Sequence, residues 1–111
     1  MAESNQNDGF QRVARLEEIP PGSAKVVEVN AKSIAVFNVD GALYAIYNIC
    51  PHEGGPLGEG SLKGCVVSCP WHDLAFDVRN GQATDGGGYC VGSYEVRVKG
   101  EDVFVGGRRK V

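Results

Sequence analysis

Two short patterns in this chain set a thiol beside an imidazole. Cys50-x-His52 is followed, after sixteen residues, by Cys69-x-x-His72. Thiolate sulfur is soft and electron-rich, and suits zinc or an iron–sulfur cluster; imidazole suits the same metals. The chain has two histidines, and the two patterns use both. Four ligands of this kind also satisfy a structural zinc ion. Common zinc fingers, however, run Cys, Cys, His, His with wider gaps. Cys65 and Cys90 stand outside the patterns and are expected to be ordinary buried thiols. In a chain without a secretory leader, clustered cysteines near histidines point to metal before disulfides.

The elements around the patterns must project them. Residues 48–60, NICPHEGGPLGEG, hold four glycines and two prolines and form a loop of defined shape. A second loop spans about 69–73. Apolar and β-branched runs flank both: Phe10 to Leu16, Lys25 to Val29, Ser33 to Val39, Ala42 to Tyr47, Cys65 to Ser68, Leu74 to Val78, Tyr94 to Lys99 and Val103 to Val105. Asp40-Gly41 between two such runs is a hairpin signal, and Asn80-Gly81 marks a tight turn. No segment keeps a helical period over ten residues. Short strands separated by turn signals predict an all-β sandwich or barrel. Each loop leaves a strand and returns to one, so the two can project side by side as fingers, each offering one thiolate and one imidazole.

Composition narrows the function. A chain of 111 residues suits one domain, with residues 1–9 expected as a disordered tail and 106–111 as a second tail. No apolar run approaches the roughly 20 residues of a membrane span. The polar start MAESNQNDG lacks the apolar stretch of a secretory signal. A cytoplasmic protein without membrane contact is expected. The net charge of −3 gives no support to nucleic-acid binding. The whole excess falls within residues 50–90, where Glu53, Glu59, Asp73, Asp77 and Asp85 face Lys63 and Arg79. Acidic residues near the loops could steer a basic partner surface.

The sequence resembles Rieske [2Fe–2S] proteins, and among them the ferredoxins of bacterial oxygenase systems. The resemblance rests on Cys50-Pro51-His52, Gly54-Gly55-Pro56-Leu57, Cys69-Pro70-Trp71-His72 and Phe76-Asp77, with Asn80-Gly81 and Tyr94-Glu95-Val96 in support. It covers residues 10–105. It implies an antiparallel β-sandwich with a small cluster-binding subdomain formed by the two loops. It also implies one Rieske-type [2Fe–2S] cluster, with Cys50 and Cys69 on one iron and His52 and His72 on the other. The histidine-bound iron would lie nearer solvent, where a partner docks. The implied role is one-electron transfer from a flavin-dependent reductase to a terminal oxygenase. The small subunit of an assimilatory NAD(P)H nitrite reductase is an alternative with the same architecture. A zinc-stabilised interaction domain is a third.

Two departures bear on tuning. Membrane-complex Rieske subunits carry an extra cysteine in each loop, joined as a disulfide; here residues such as Gly55 and Trp71 stand instead. Those subunits also place Gly-Ser after the second loop's histidine, where Asp73-Leu74 follows here. Fewer donors to sulfur and a nearby negative charge lower a potential, so the lower end of a range of about −150 to +300 mV is expected. Both histidines being used, none remains for a mononuclear iron, and no Gly-rich strand-to-helix fingerprint for flavin or nicotinamide is present. A carrier rather than an enzyme is expected.

Overall fold

The computed structural model describes residues 9–51, 54–71, 74–84 and 88–109. Nine strands are present among them: β1 (Gln11–Arg15), β2 (Ala24–Val29), β3 (Lys32–Val39), β4 (Ala42–Tyr47), β5 (Ser61–Lys63), β6 (Val66–Ser68), β7 (Ala75–Asp77), β8 (Ser93–Lys99) and β9 (Asp102–Arg108). Two single-turn 3₁₀ segments, Leu16–Glu18 and Leu57–Glu59, complete the regular structure. The architecture is the expected all-β, antiparallel one. Among the described residues no helix is long and apolar enough to cross a membrane.

Six strands form one sheet in the order β1-β9-β8-β4-β3-β2, and β5-β6-β7 form a second. Strand β3 explains how the two sheets share a molecule. Its residues Ile34 to Phe37 are all buried, although a strand covered on one face would bury only alternate positions. Ile34 and Val36 join Ala14, Ile19, Val29, Ala45, Val103 and Val105 in a core held by the large sheet. Ala35 and Phe37 face the other way, onto Ile46, Leu57, Val67, Phe76 and Val78. This second core lies between the large sheet and the small one. Buried Asn38 braces the end of β3: its amide donates to the Ile19 carbonyl at 2.7 Å and accepts from the Gly41 amide at 2.7 Å.

The Asp40-Gly41 hairpin forms as expected, both residues taking positive φ (52° and 98°). A second two-residue turn, Asn30-Ala31, joins β2 to β3 with φ of 53° and 67°. The expectation of a tail from residue 106 needs correction. Strand β9 continues through Arg108, which pairs with Tyr94, and the Arg109 amide donates to the Ser93 carbonyl at 2.7 Å. Pairing with β8 supplies order that the Gly106-Gly107 composition does not suggest. Of the expected N-terminal tail, residues 1–8 lie outside the described residues, as do Lys110 and Val111.

Strand β5 was also not expected from the sequence. Ser-Leu-Lys is too short to show a period and is extended because it pairs with β6, Ser61 opposite Ser68 and Lys63 opposite Val66.

Candidate metal centre

The first loop leaves β4 at Tyr47 and reaches β5 at Ser61. Its base is closed by a backbone bridge between Ile49 and Pro56. Inside that bridge the Cys50 amide donates to the Gly55 carbonyl at 2.9 Å, and the Gly54 amide donates to the Cys50 carbonyl at 2.8 Å. The second loop connects β6 to β7, closed by pairing of Ser68 with Ala75. There the Cys69 amide donates to the Leu74 carbonyl at 2.9 Å. The two loops repeat one device. In each, the cysteine amide bonds the carbonyl five residues ahead, which fixes the cysteine at the loop's base.

Both thiols are buried. Cys50 is 1% and Cys69 4% exposed, and both belong to the core between the sheets, with Leu57, Val67 and Phe76. None of the four cysteines forms a disulfide. A polar or reactive group is seldom so buried on a loop, since loops run over the surface. The structure thus brings together two of the four residues singled out in the sequence. The other two, His52 and His72, lie outside the described residues, as do Glu53 and Asp73. Among the described residues no group of three or more His, Cys, Asp or Glu side chains converges, and of the candidate ligands the two thiols alone are described.

Close approach between the loops depends on a missing side chain. A Cβ on Gly55 would lie 2.7 Å from Cys69 Sγ and 3.0 Å from Cγ of Trp71. Any residue but glycine would therefore push the second loop away from the first. The sequence marked Gly55 as a loop former; the structure adds that it is the contact point between the loops.

Asn48 was missed by sequence reading. It is buried at the end of β4, and both ends of its side-chain amide are used: Nδ2 donates to Ser33 Oγ at 3.1 Å, and Oδ1 accepts from the Gly58 amide at 2.7 Å. Its main chain bonds the Ser33 carbonyl and the Leu57 amide as well. Asn48 thereby ties the first loop to β3, two residues before Cys50. A polar residue closing an apolar strand was the one available signal.

The two remaining cysteines differ from each other. Cys65 is half-buried against the inter-sheet core, near the expected state. Cys90 is exposed, against expectation. It bridges to Gln82 and follows exposed Tyr89, while Val91 after it is buried. The side chains of Asp77 and Arg79 pair at 2.8 Å beside β7. Hydrogen bonding from that guanidinium holds the Asp77 carboxyl below the ordinary carboxylate range. Tyr94, by contrast, is pushed up by burial. It lines a shallow cleft of about 220 Å³ with Tyr44, Arg79 and Arg109, which includes no residue of either cysteine loop.

The chain is similar to known proteins in sequence and in fold. The sequence model of the Rieske [2Fe-2S] domain family matches residues 9–95. The biphenyl dioxygenase ferredoxin subunit of Pseudomonas sp. (strain KKS102) is 37% identical over 99 residues, 86% of this chain and 90% of the relative. Ferredoxin CarAc of Metapseudomonas resinovorans is 35% identical over 106 residues, 94% of this chain and 99% of the relative. Among solved structures, a chain in the complex of reduced oxygenase and oxidized ferredoxin in carbazole 1,9a-dioxygenase superposes with a TM-score of 0.84. It is 34% identical, and the match covers 95% of this chain and 99% of that one.

Proposed function

The chain belongs to the Rieske [2Fe–2S] domain family, and from that premise we propose that Cys50, His52, Cys69 and His72 hold one cluster, with which the chain carries single electrons from a flavin-dependent reductase to a terminal oxygenase. The observation that supports the ligand set is the pair of buried thiols. Cys50 and Cys69 occupy equivalent places in two loops, within one apolar core, and neither is spent on a disulfide. Two thiolates from two loops are the sulfur donors one iron of such a cluster needs, so the residues present fit the group. His52 and His72 follow the cysteines closely enough to supply the second iron from the same loops.

When bound, a Rieske cluster takes up and releases one electron at about −150 to +300 mV. The protein's own contribution is positional. The loop-closing bonds of Cys50 and Cys69 fix the backbone at both cysteines, and both residues are buried. Relatives named as ferredoxin components of dioxygenase systems support the carrier role and the choice of partners. A chain whose only two histidines are cluster ligands has none for a catalytic iron, so the chemistry on substrate belongs to the partner oxygenase. Four cysteines without a disulfide suit a reducing compartment, and we place the protein in the cytoplasm.

Electron paramagnetic resonance of the reduced protein tests the reading. The wild type is expected to give a Rieske signal, His72→Ala to lose it, and Cys90→Ala to keep it. A colourless protein containing zinc and no reducible iron overturns the proposal. Cell fractionation checks the location.

A further inference from the structure

Cys69 is 4% exposed although the two residues after it, Pro70 and Trp71, are exposed. Something other than the depth of its own loop must cover its sulfur. The first cover is the backbone of Gly55, which lies against Cys69 Sγ from the opposite loop. The second is the indole of Trp71. Sulfur and ring both lie within 3.0 Å of the point where a Gly55 Cβ would stand, which puts them within about 6 Å of each other, the range of sulfur–aromatic contact.

Packing alone does not account for an indole here. Trp71 is 60% exposed, the largest exposure among the large apolar side chains of the described residues. A ring left this open gains little from burial, and the apolar surface it shows to water is a cost. Its inner side packs on Gly55, next to that sulfur. We propose that Trp71 is a positioning residue: with Gly55 it forms a lid over Cys69 Sγ that excludes water from the cluster's cysteine side. This rests on Cys69 being a ligand, as proposed above. Water near a cluster favours its more negatively charged, reduced form, so removing the lid raises the potential. It also opens the sulfur to oxidants.

The test compares wild type, Trp71→Phe and Trp71→Ala at matched cluster content. Trp71→Ala is expected to have a higher midpoint potential by voltammetry and to bleach several-fold faster in air. Trp71→Phe keeps an aromatic lid and stays close to wild type in both. All three should keep the Rieske resonance, since no ligand has changed. An unchanged potential and bleaching rate in Trp71→Ala overturns the lid while leaving the ligand set intact. Loss of the Rieske signal from the wild type itself would instead sink the ligand set.

A second measurement needs no variant. Trp71 is the chain's single tryptophan, so emission excited at 295 nm reports on it alone. Loading the cluster is expected to quench that emission several-fold. Emission that does not change on loading means the ring does not cover the cluster's sulfur, and overturns the proposal even if Trp71→Ala fails to take up iron.

Discussion

Asn48 accepts the Gly58 amide at 2.7 Å while donating to Ser33 Oγ at 3.1 Å, so one buried side chain joins the first cysteine loop to strand β3. Gly58 can come this near only because it has no side chain; a Cβ there would stand 2.5 Å from Val26 Cγ2 and 3.1 Å from Asn48 Oδ1. Asn48→Ala leaves the part-buried Gly58 amide unsatisfied, which costs about 1 kcal/mol. Urea denaturation should show that loss. Iron content per chain should fall with it, because the loop holding Cys50 is no longer tied to the sheet. Full stability in Asn48→Ala would count against this role.

Gly55→Ala is expected to separate stability from cluster binding. The added methyl meets Cys69 Sγ at 2.7 Å, and the strain falls on the contact between the loops rather than on the sheets. Overpacking of this kind costs roughly 1–3 kcal/mol. Iron retention during gel filtration should drop well below wild type. Far-ultraviolet circular dichroism, which reports the strands, should not change.

Ala31 holds a left-handed conformation, φ 67°, at the second position of the Asn30-Ala31 turn. Turns of this form favour Asn-Gly. Ala31→Gly relieves a backbone cost of roughly 1–2 kcal/mol while adding some freedom to the unfolded chain. A net gain in thermal midpoint is expected, and the potential should not move because the turn is on the β2–β3 hairpin. A fall in the midpoint contradicts the strain.

The Asp77 carboxyl is held below its ordinary value of about 3.8 by the hydrogen bond from Arg79. A folded pKa below the unfolded one means that the stabilisation is present above the unfolded value. It is lost as pH falls through the lower, folded value. Arg79 is more than half exposed, so solvent screens the pair and its contribution is small. Asp77→Asn should therefore lower stability slightly at pH 7 and flatten its fall below pH 4. Equal slopes for wild type and variant in acid denaturation would rule the contribution out.

The all-β class and both thiol loops were legible in the sequence because they rest on local signals. Asp40-Gly41 reads as a hairpin from two residues, and Cys50 and Cys69 declare themselves by type and spacing. What escaped depends on partners distant in sequence. Ser61–Lys63 is a strand only because β6 lies beside it, and β9 passes through Gly106-Gly107 only because β8 pairs with it. Cys90 faces solvent while Val91 beside it is buried, a choice of side that no single residue reveals. Asn48 looks like a strand-ending polar residue until Ser33 and Gly58 are seen around it.

Strand β3 is buried on both faces and touches, through Ser33, the residue that tethers the first loop. Protein interiors packed on all sides have low compressibility. On the proposed ligand set, a cysteine loop anchored to such a wall has little room to relax when the charge it surrounds changes by one. The energy needed to rearrange the protein around an arriving or departing electron is then small. Reorganisation energy of that kind limits the speed of electron exchange, so on the proposed ligand set the doubly covered strand favours fast exchange.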